Sequence, residues 1–212
     1  MTPGDLIVRP LRLWWRLTVI EAMGFVALGR GLARRPHIPP GARPLRYARG
    51  RWAAPALFGF AALAELIAID LLVPWERFES YAGTRWIVFL LGVYGVLWVV
   101  FYVVAQHMYP HLLHADELEL RNGHFAVARV PRDAVIGARP RPMREDESDR
   151  VVLSDPLAPA NLDLDFDRQI AIRGMLGGVK RRTSKLAIIV DDPREAADLL
   201  ATWADPGRSR AG

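Results

Sequence analysis

The sequence predicts a membrane α-helical hairpin of two spans, followed by a small, mainly-β domain that a C-terminal helix caps. Two observations predict this fold class. Residues 53–105 are far more apolar than residues 115–212, although the whole chain has an ordinary 51% of hydrophobic and 24% of charged residues. The second half shows alternating apolar and polar residues and then one amphipathic helical pattern. This division indicates a membrane part plus a water-soluble part.

The clearest element is the uncharged run WIVFLLGVYGVLWVVFYVVA at residues 86–105. Its twenty residues, at about 1.5 Å each, suffice to cross a hydrocarbon core of about 30 Å. Residues 53–73 predict the partner span, which only Glu65 and Asp70 interrupt. The connector at residues 74–85 is short and polar, so we expect two antiparallel helices that are neighbours. Three aromatic residues fall near the predicted ends, as is typical of membrane interfaces: Trp52, Trp75 and Trp86.

The distribution of arginine predicts the orientation of the hairpin. Seven Arg lie between Gly29 and residue 52, whereas the connector has two, Arg77 and Arg85. The positive-inside rule therefore places residues 30–52 and 115–212 in the cytoplasm and the connector outside. We expect a multi-pass protein of the inner (cytoplasmic) membrane.

The N-terminal region, residues 1–52, leaves two alternatives open. Residues 11–28 are mostly apolar, and the basic side chains Arg9, Arg12 and Arg16 at and before their start would share one helical face, which favours an amphipathic helix lying in the interface. The alternative is a third span with Glu21 near its middle. Residues 35–51 contain four Pro and predict an extended, Arg- and Pro-rich cytoplasmic linker.

Two carboxylates stand inside the first span, and a carboxylate at mid-bilayer costs about 2.5–3.5 kcal/mol. Glu65 lies past the middle of the span, whereas Asp70 is within a turn of its outer end, so we expect a smaller cost for Asp70. Glu65 and Asp70 are about 140° apart around a helix, so they do not form a paired acid–base site. Antiparallel register predicts that Tyr94 hydrogen-bonds Glu65 and that Arg85 reaches Asp70. Two interpretations remain. Glu65 is either protonated and hydrogen-bonded to Tyr94 or a neighbouring helix, or it belongs with Asp70 to an ion or proton site of an oligomer.

Three histidines follow the second span, within the hairpin segment assigned to residues 53–114. The spacing of His107, His111 and His114 would place them on one side of a helix, as in some metal sites. Pro110 stands among them and breaks helical geometry, so we expect an interfacial role and neither a metal nor another cofactor.

Residues 115–204 predict the cytoplasmic domain, and residues 205–212 a disordered tail. Asn122-Gly123 between two alternating runs at residues 117–130 predicts a β-hairpin. With five further candidates, at residues 135–139, 150–154, 161–166, 169–173 and 185–190, the domain has about seven antiparallel strands. Asp192 as N-cap, Pro193 and Glu195 then start a helix that buries four apolar side chains: Ala196, Leu199, Leu200 and Trp203.

This order of elements resembles bacterial pleckstrin-homology-like domains attached to membrane hairpins, on segments such as LRNGHFAVARVPRDAVIGAR and IIVDDPREAADLL. The whole chain also resembles actinobacterial integral membrane proteins of uncharacterised function. Those proteins have an acidic residue in the first span, a His five residues later and Pro-His after the second span. Glu65 and Pro110-His111 fit this pattern. Asp70 stands in place of the His, which counts against a His-dependent intramembrane site.

One basic cluster, Lys180, Arg181, Arg182 and Lys185, lies in GMLGGVKRRTSK. The segment lacks the Gly-Lys-Ser/Thr of a phosphate loop and does not open a helix, so nucleotide binding is rejected. The cluster predicts either contact with anionic lipid headgroups or a solvated hairpin tip. The acidic run that follows Arg144 argues against nucleic-acid binding. NLDLDFDR at residues 161–168 lacks EF-hand ligands and predicts a half-buried strand with an acidic outer face.

Three hypotheses on function follow. The first is a non-enzymatic membrane protein whose cytoplasmic module organises a protein complex or senses lipid, with the bilayer and a protein partner or a second copy as its partners. The second is an oligomeric ion- or proton-linked membrane protein that uses Glu65 and Asp70. The third and weakest is an enzyme with an intramembrane acid, because no nucleophile or catalytic signature is recognisable in the sequence.

Overall fold

A computed structural model describes residues 3–49, 51–75, 77, 83–142, 150–153, 159–174 and 178–205, with side chains from Trp14 onward. These residues form four α-helices and eight β-strands. The strands make two four-stranded sheets, so the chain combines long helices with a helix-plus-sheet domain, as the sequence predicts. The predicted tail lies outside the described residues, apart from Asp205.

Two helices, α2 (Ala53–Leu72) and α3 (Thr84–Met108), are long and apolar enough to cross a membrane. They correspond to the two predicted spans, with α3 extending slightly beyond its predicted bounds. Leu66 of α2 contacts Gly92 of α3, and Gly59 contacts Val99, so the two helices pack antiparallel. Glycine at these crossings lets a branched side chain of the neighbouring helix come close.

The first helix, α1 (Pro3–Leu32), lies beside α3 and parallel to it. Three contacts advance together along the two helices: Glu21 with Tyr94, Gly24 with Phe101 and Gly31 with Val104. A helix lying across the end of the hairpin would contact α3 at one level only. Among the described helices, α2 and α3 are long and apolar enough to cross a membrane and the more highly charged α1 is not, so whether α1 spans the bilayer or lies in the interface stays a prediction.

The first sheet contains strands from both sides of the helical hairpin. Its order is β1 (Arg43–Leu45), β2 (His111–Leu113), β3 (Glu117–Asn122) and β4 (Phe125–Pro131), all antiparallel. The predicted linker thus contributes β1, and the segment assigned to the hairpin contributes β2. A three-residue strand is too short for a sequence pattern, and Pro44 is tolerated in β1 because this strand lies at the sheet edge.

The turn between β3 and β4 is shifted by one residue from the prediction. Asn122 pairs with Phe125, so Gly123 and His124 form the loop instead of Asn122-Gly123. Gly123 has a φ of 58° at the first loop position, where a hairpin turn that matches strand twist requires a positive φ. Asn122 stays in the strand, and its side chain accepts a hydrogen bond from Gln106 of α3.

The second sheet has the order β5 (Val135–Pro140), β7 (Leu162–Arg173), β8 (Val179–Ile188) and β6 (Val151–Val152). The two strands predicted at residues 161–166 and 169–173 are one strand, β7, whose pairing with β8 is irregular between Asp165 and Ile170. The prediction of antiparallel pairing throughout is wrong for β6, which pairs parallel with β8. This difference arises because β6 arrives from β5 along a long connection, which permits either direction.

The two sheets and the last helix, α4 (Pro193–Ala204), enclose one hydrophobic core. Its fully buried leucines come from β3, β7, β8 and α4: Leu118, Leu120, Leu162, Leu164, Leu186 and Leu200. The predicted start of α4 is confirmed, because the Asp192 carboxylate accepts hydrogen bonds from the backbone N–H of Arg194 and Glu195. Here we name the two sheets and α4 together the module. It adjoins the ends of α1 and α3.

We expect Gly24→Leu to separate α1 from α3. A Cβ at position 24 would lie 2.6 Å from Phe101, which is too close for packed helices. Gly29→Leu is the matched control, since nothing lies within 4 Å of its Cβ. The chain has no Cys, so a disulfide between Ala27→Cys and Ala105→Cys reports the contact cleanly. This disulfide should form in the control and be lost with Gly24→Leu; equal yields would contradict the packing.

Candidate functional site

The long apolar helices and the sheet module meet at a buried amide. Gln106, in the last turn of α3, is only 3% exposed. Its Oε1 accepts a hydrogen bond from Arg51 Nη1 at 3.0 Å, and its Nε2 donates to Asn122 Oδ1 at 2.9 Å. One side chain therefore joins the segment before α2, the end of α3 and the β3–β4 hairpin.

An aromatic stack lies beside this amide. The rings of Tyr47 and His111 are parallel, with centroids 4.3 Å apart. The Tyr47 hydroxyl accepts a hydrogen bond from Gly123 N at 2.8 Å, and the Arg51 guanidinium lies 5.4 Å from the Tyr47 ring centroid. Tyr47 comes from the predicted linker, so this linker is part of the packed module. Here we name Tyr47, Arg51, Gln106, His111 and Asn122 the junction.

Both ring nitrogens of His111 are occupied. Nδ1 accepts a hydrogen bond from the backbone N–H of Arg121 at 2.9 Å, so Nε2 carries the proton and donates to the Ile189 carbonyl at 3.3 Å. Burial lowers the pKa of His111 to about 3, although the bond to Ile189 acts in the opposite direction. His111 is thus a neutral structural residue, and it has no nitrogen left for a metal.

The one-sided row that the spacing of the three histidines would give on a continuous helix does not form. α3 ends at Met108, before Pro110, so only His107 lies on the helix, where its Nδ1 is 3.0 Å from the Val103 carbonyl. His111 is buried in β2, and His114 lies in the turn that follows this strand. The physical reason is Pro110, which cannot continue the helix and so ends α3 before His111.

The predicted ion pair between Asp70 and Arg85 is confirmed. The guanidinium donates two hydrogen bonds to the carboxylate, at 2.8 and 2.9 Å, which is the strong bidentate geometry. Trp75 Nε1 also donates to the Asp70 carbonyl at 3.1 Å. The ends of α2 and α3 are therefore tied together at the connector.

The predicted bond between Tyr94 and Glu65 is wrong. Tyr94 instead donates to the carboxylate of Glu21, because α1 occupies the side of α3 that this ring faces. Glu65 lies on the exposed surface of α2 and makes no hydrogen bond or ion pair with any residue that the structure describes. Glu65 and Asp70 remain separate. The four polar residues predicted for the membrane hairpin therefore do not form one site: Glu65, Asp70, Arg85 and Tyr94.

The basic cluster on β8 also lies away from the junction. Lys180, Arg181, Arg182 and Lys185 are exposed. At the other end of the strand, Ile189 packs against Tyr47 in the junction. Eight residues of extended chain separate Arg181 from Ile189, which is about 26 Å. The cluster contacts headgroups only if β8 lies along the membrane plane.

Sequence reasoning missed a buried charge cluster on β7. Asp163 was expected on an acidic outer face, yet its side chain is fully buried. Three arginines surround it, with nitrogen–oxygen distances of 3.3 Å to Arg141, 3.4 Å to Arg150 and 3.7 Å to Arg139. Strand alternation carries no signal for this burial, because the covering arginines come from other segments of the chain. The cluster holds the edges of the second sheet together.

A cleft of about 860 Å³ opens beside the junction, between the ends of α1 and α3 and the start of α4. Its charged lining is of both signs, with Arg34, Arg46 and Arg49 against Asp191 and Glu195. Such a lining does not select ligands of one charge.

Comparison of the chain with protein-family models, curated proteins and solved structures finds no match.

We expect the module to lose stability as the pH falls from 6.5 towards 3. The unfolded imidazole has a pKa near 6.5 and takes up its proton first, whereas folded His111 stays neutral to about pH 3. This residue alone lowers the free energy of unfolding by about 1.4 kcal/mol per pH unit below 6.5. The measurement is the thermal unfolding midpoint of the intact protein in detergent, between pH 7.5 and 4.5.

His111→Gln is the control for this prediction. The variant should be less stable at pH 7.5 because the stack on Tyr47 is lost, but its stability should change less with pH. If the intact protein and the variant show the same pH dependence, His111 is not the responsible group.

Proposed function

We propose that this chain is a non-enzymatic integral protein of the inner (cytoplasmic) membrane, which presents a cytoplasmic, pleckstrin-homology-like module for assembly of a protein complex or for lipid sensing. The observation that carries this proposal is the shared sheet. β1 precedes the helical hairpin, β2 follows it, and the two strands pair. The module is therefore attached to both ends of the hairpin, and not through one flexible linker.

The surface of the hairpin supports a membrane location. Large apolar side chains of α2 and α3 point outward, including Phe60 at 71%, Leu72 at 80% and Trp86 at 64% exposure. A core helix of a soluble protein would be mostly buried, whereas only 11% and 6% of the apolar windows of these helices are buried. Continuous apolar surface of this extent requires lipid or another apolar partner.

The charge on the module favours a protein partner over a headgroup. The basic cluster on β8 is exposed, and its members lie between about 13 Å (Lys185) and about 26 Å or more (Arg181 and Lys180) along the strand from Ile189 at the junction. The surface potential of the membrane decays within about 8 Å at physiological ionic strength. With β8 directed away from the membrane, as this proposal requires, the basic cluster is suited to an acidic surface of another protein.

The test is chemical cross-linking of the intact protein in native membrane, followed by purification and identification of its partners. Arg181→Glu reverses one charge of the cluster, and Arg194→Glu reverses an exposed charge elsewhere on the module. We expect a partner whose yield falls with Arg181→Glu and is unchanged with Arg194→Glu. The absence of any partner with this response would contradict the proposal of complex assembly.

A second candidate is the oligomeric ion- or proton-linked protein, and the exposure of Glu65 favours it. A lone carboxyl facing lipid is costly, so it needs a hydrogen-bond partner from outside the described protomer. If the protein has this function, Glu65→Gln should abolish proton flux into proteoliposomes. If it assembles a complex instead, the Glu65→Gln variant should still cross-link to the same partners.

We expect Glu65→Gln to leave membrane insertion and oligomer size unchanged, because the amide has nearly the same shape as the carboxyl group and can still form hydrogen bonds. Glu65→Lys should block insertion or assembly, since a cation at this depth costs about 2.5–3.5 kcal/mol. Membrane fractionation and detergent-solubilised particle size measure both. Normal insertion and size with Lys at position 65 would show that this carboxyl is not packed against a neighbour in the bilayer.

A further inference from the structure

Three potential metal ligands converge on the first sheet, on the side near α4. One side-chain ligand atom each of His114, Glu117 and Glu119 lies within 4.8 Å of the others. Glu117 and Glu119 are two residues apart on β3, so their side chains project from the same face of the strand. His114 lies in the turn between β2 and β3, and its backbone N–H donates to the Glu117 carbonyl at 2.9 Å. The backbone thus fixes all three positions.

The imidazole of His114 has an unused nitrogen at this point. Its Nε2 is buried and makes no hydrogen bond in the described part of the chain. The distance from Nε2 to Glu119 Oε2 is 3.7 Å, which is too long for a hydrogen bond. Two ligands that share a tetrahedral cation, each about 2.1 Å from it, stand about 3.4 Å apart. A small movement of either side chain reaches that geometry.

The surroundings hold the ligands as the outer shell of a metal site does. Arg121 Nε donates to Glu119 Oε1 at 2.7 Å and leaves Oε2 directed towards His114. Trp203 Nε1 of α4 donates to the His114 carbonyl at 2.8 Å. These hydrogen bonds fix the orientation of the Glu119 carboxylate and the position of the turn that carries His114. The carboxylate of Glu117 has no hydrogen bond or ion pair with the residues described, so it is available to a cation.

Two cations oppose a metal ion here: Arg121, which is ion-paired with Glu119 at 2.7 Å, and Arg129. Arg129 Nη2 lies 3.9 Å from Glu119 Oε2. Its side chain is 63% exposed, so it can turn into solvent at the cost of a weak surface ion pair, about 1 kcal/mol or less. Arg129 therefore lowers the affinity of the site without blocking it.

We propose that His114, Glu117 and Glu119 bind one divalent transition-metal ion, with Zn²⁺ as the best match to one imidazole and two carboxylates. Three protein ligands leave a fourth position for water or for a group from a partner. A hollow of about 290 Å³, lined by His114, Arg43, Thr202 and Trp203, adjoins the site. The bound ion would fix the β2–β3 turn against α4.

The test is titration of the intact, tag-free and chelator-treated protein in detergent with Zn²⁺, and the readout is calorimetric affinity and stoichiometry. Co²⁺ absorption provides a second measurement of the ligand geometry. We expect saturable binding of one Zn²⁺ per chain. His114→Ala and Glu117→Gln should each weaken it at least about 10-fold, as the loss of even an outer-shell partner does.

His107→Ala is the matched control, because this histidine is exposed on α3 and lies outside the cluster. It should leave the affinity unchanged, while Arg129→Gln should tighten binding by up to about fivefold, since one of the two opposing cations is removed. Unaltered circular dichroism of the His114 and Glu117 variants ensures that a loss reports ligation and not unfolding. The absence of saturable binding, or unchanged affinity with either ligand variant, would overturn the proposal.

Discussion

The buried amide of Gln106 is the interaction on which the arrangement of this chain depends. It satisfies Arg51 and Asn122 at once, at the point where α3 leaves the apolar region and the module begins. A buried amide without both partners costs about 1–3 kcal/mol, so the three residues must stay together. The stacked rings of Tyr47 and His111 lie beside these hydrogen bonds and belong to the same junction. The helical hairpin and the sheet therefore share one polar core, and neither can shift without breaking it.

Charged side chains elsewhere in the chain also have polar partners close by. Asp70 lies against Arg85, and the fully buried Asp163 lies among three arginines, so each of these carboxylates has a nearby cation. Glu21 of α1 accepts a hydrogen bond from Tyr94. Glu65 has no such partner among the residues that the structure describes.

Features that depend on solvent and on local sequence could be predicted, whereas features that depend on distant partners could not. The apolar runs gave both long helices, and the cap at Asp192 gave the start of α4. By contrast, β1 is three residues long and exists because β2 lies beside it, so no local pattern marks it. The burial of Asp163 and the pairing of Tyr94 with Glu21 depend on segments far away in the sequence. The candidate metal ligands were found only when β3 placed Glu117 and Glu119 beside His114.

A distance measurement between the hairpin and the module tests the shared polar core most directly. The chain contains no Cys, so spin labels at Gly95→Cys on α3 and Arg182→Cys on β8 are specific. Gly95 has open space around it, and Arg182 is exposed, so neither label disturbs packing. We expect one narrow distance distribution in lipid nanodiscs, which broadens when Gln106 is replaced by Ala. A distribution that is already broad with Gln106 in place would show that the module moves freely on the hairpin and that no shared polar core holds the two together.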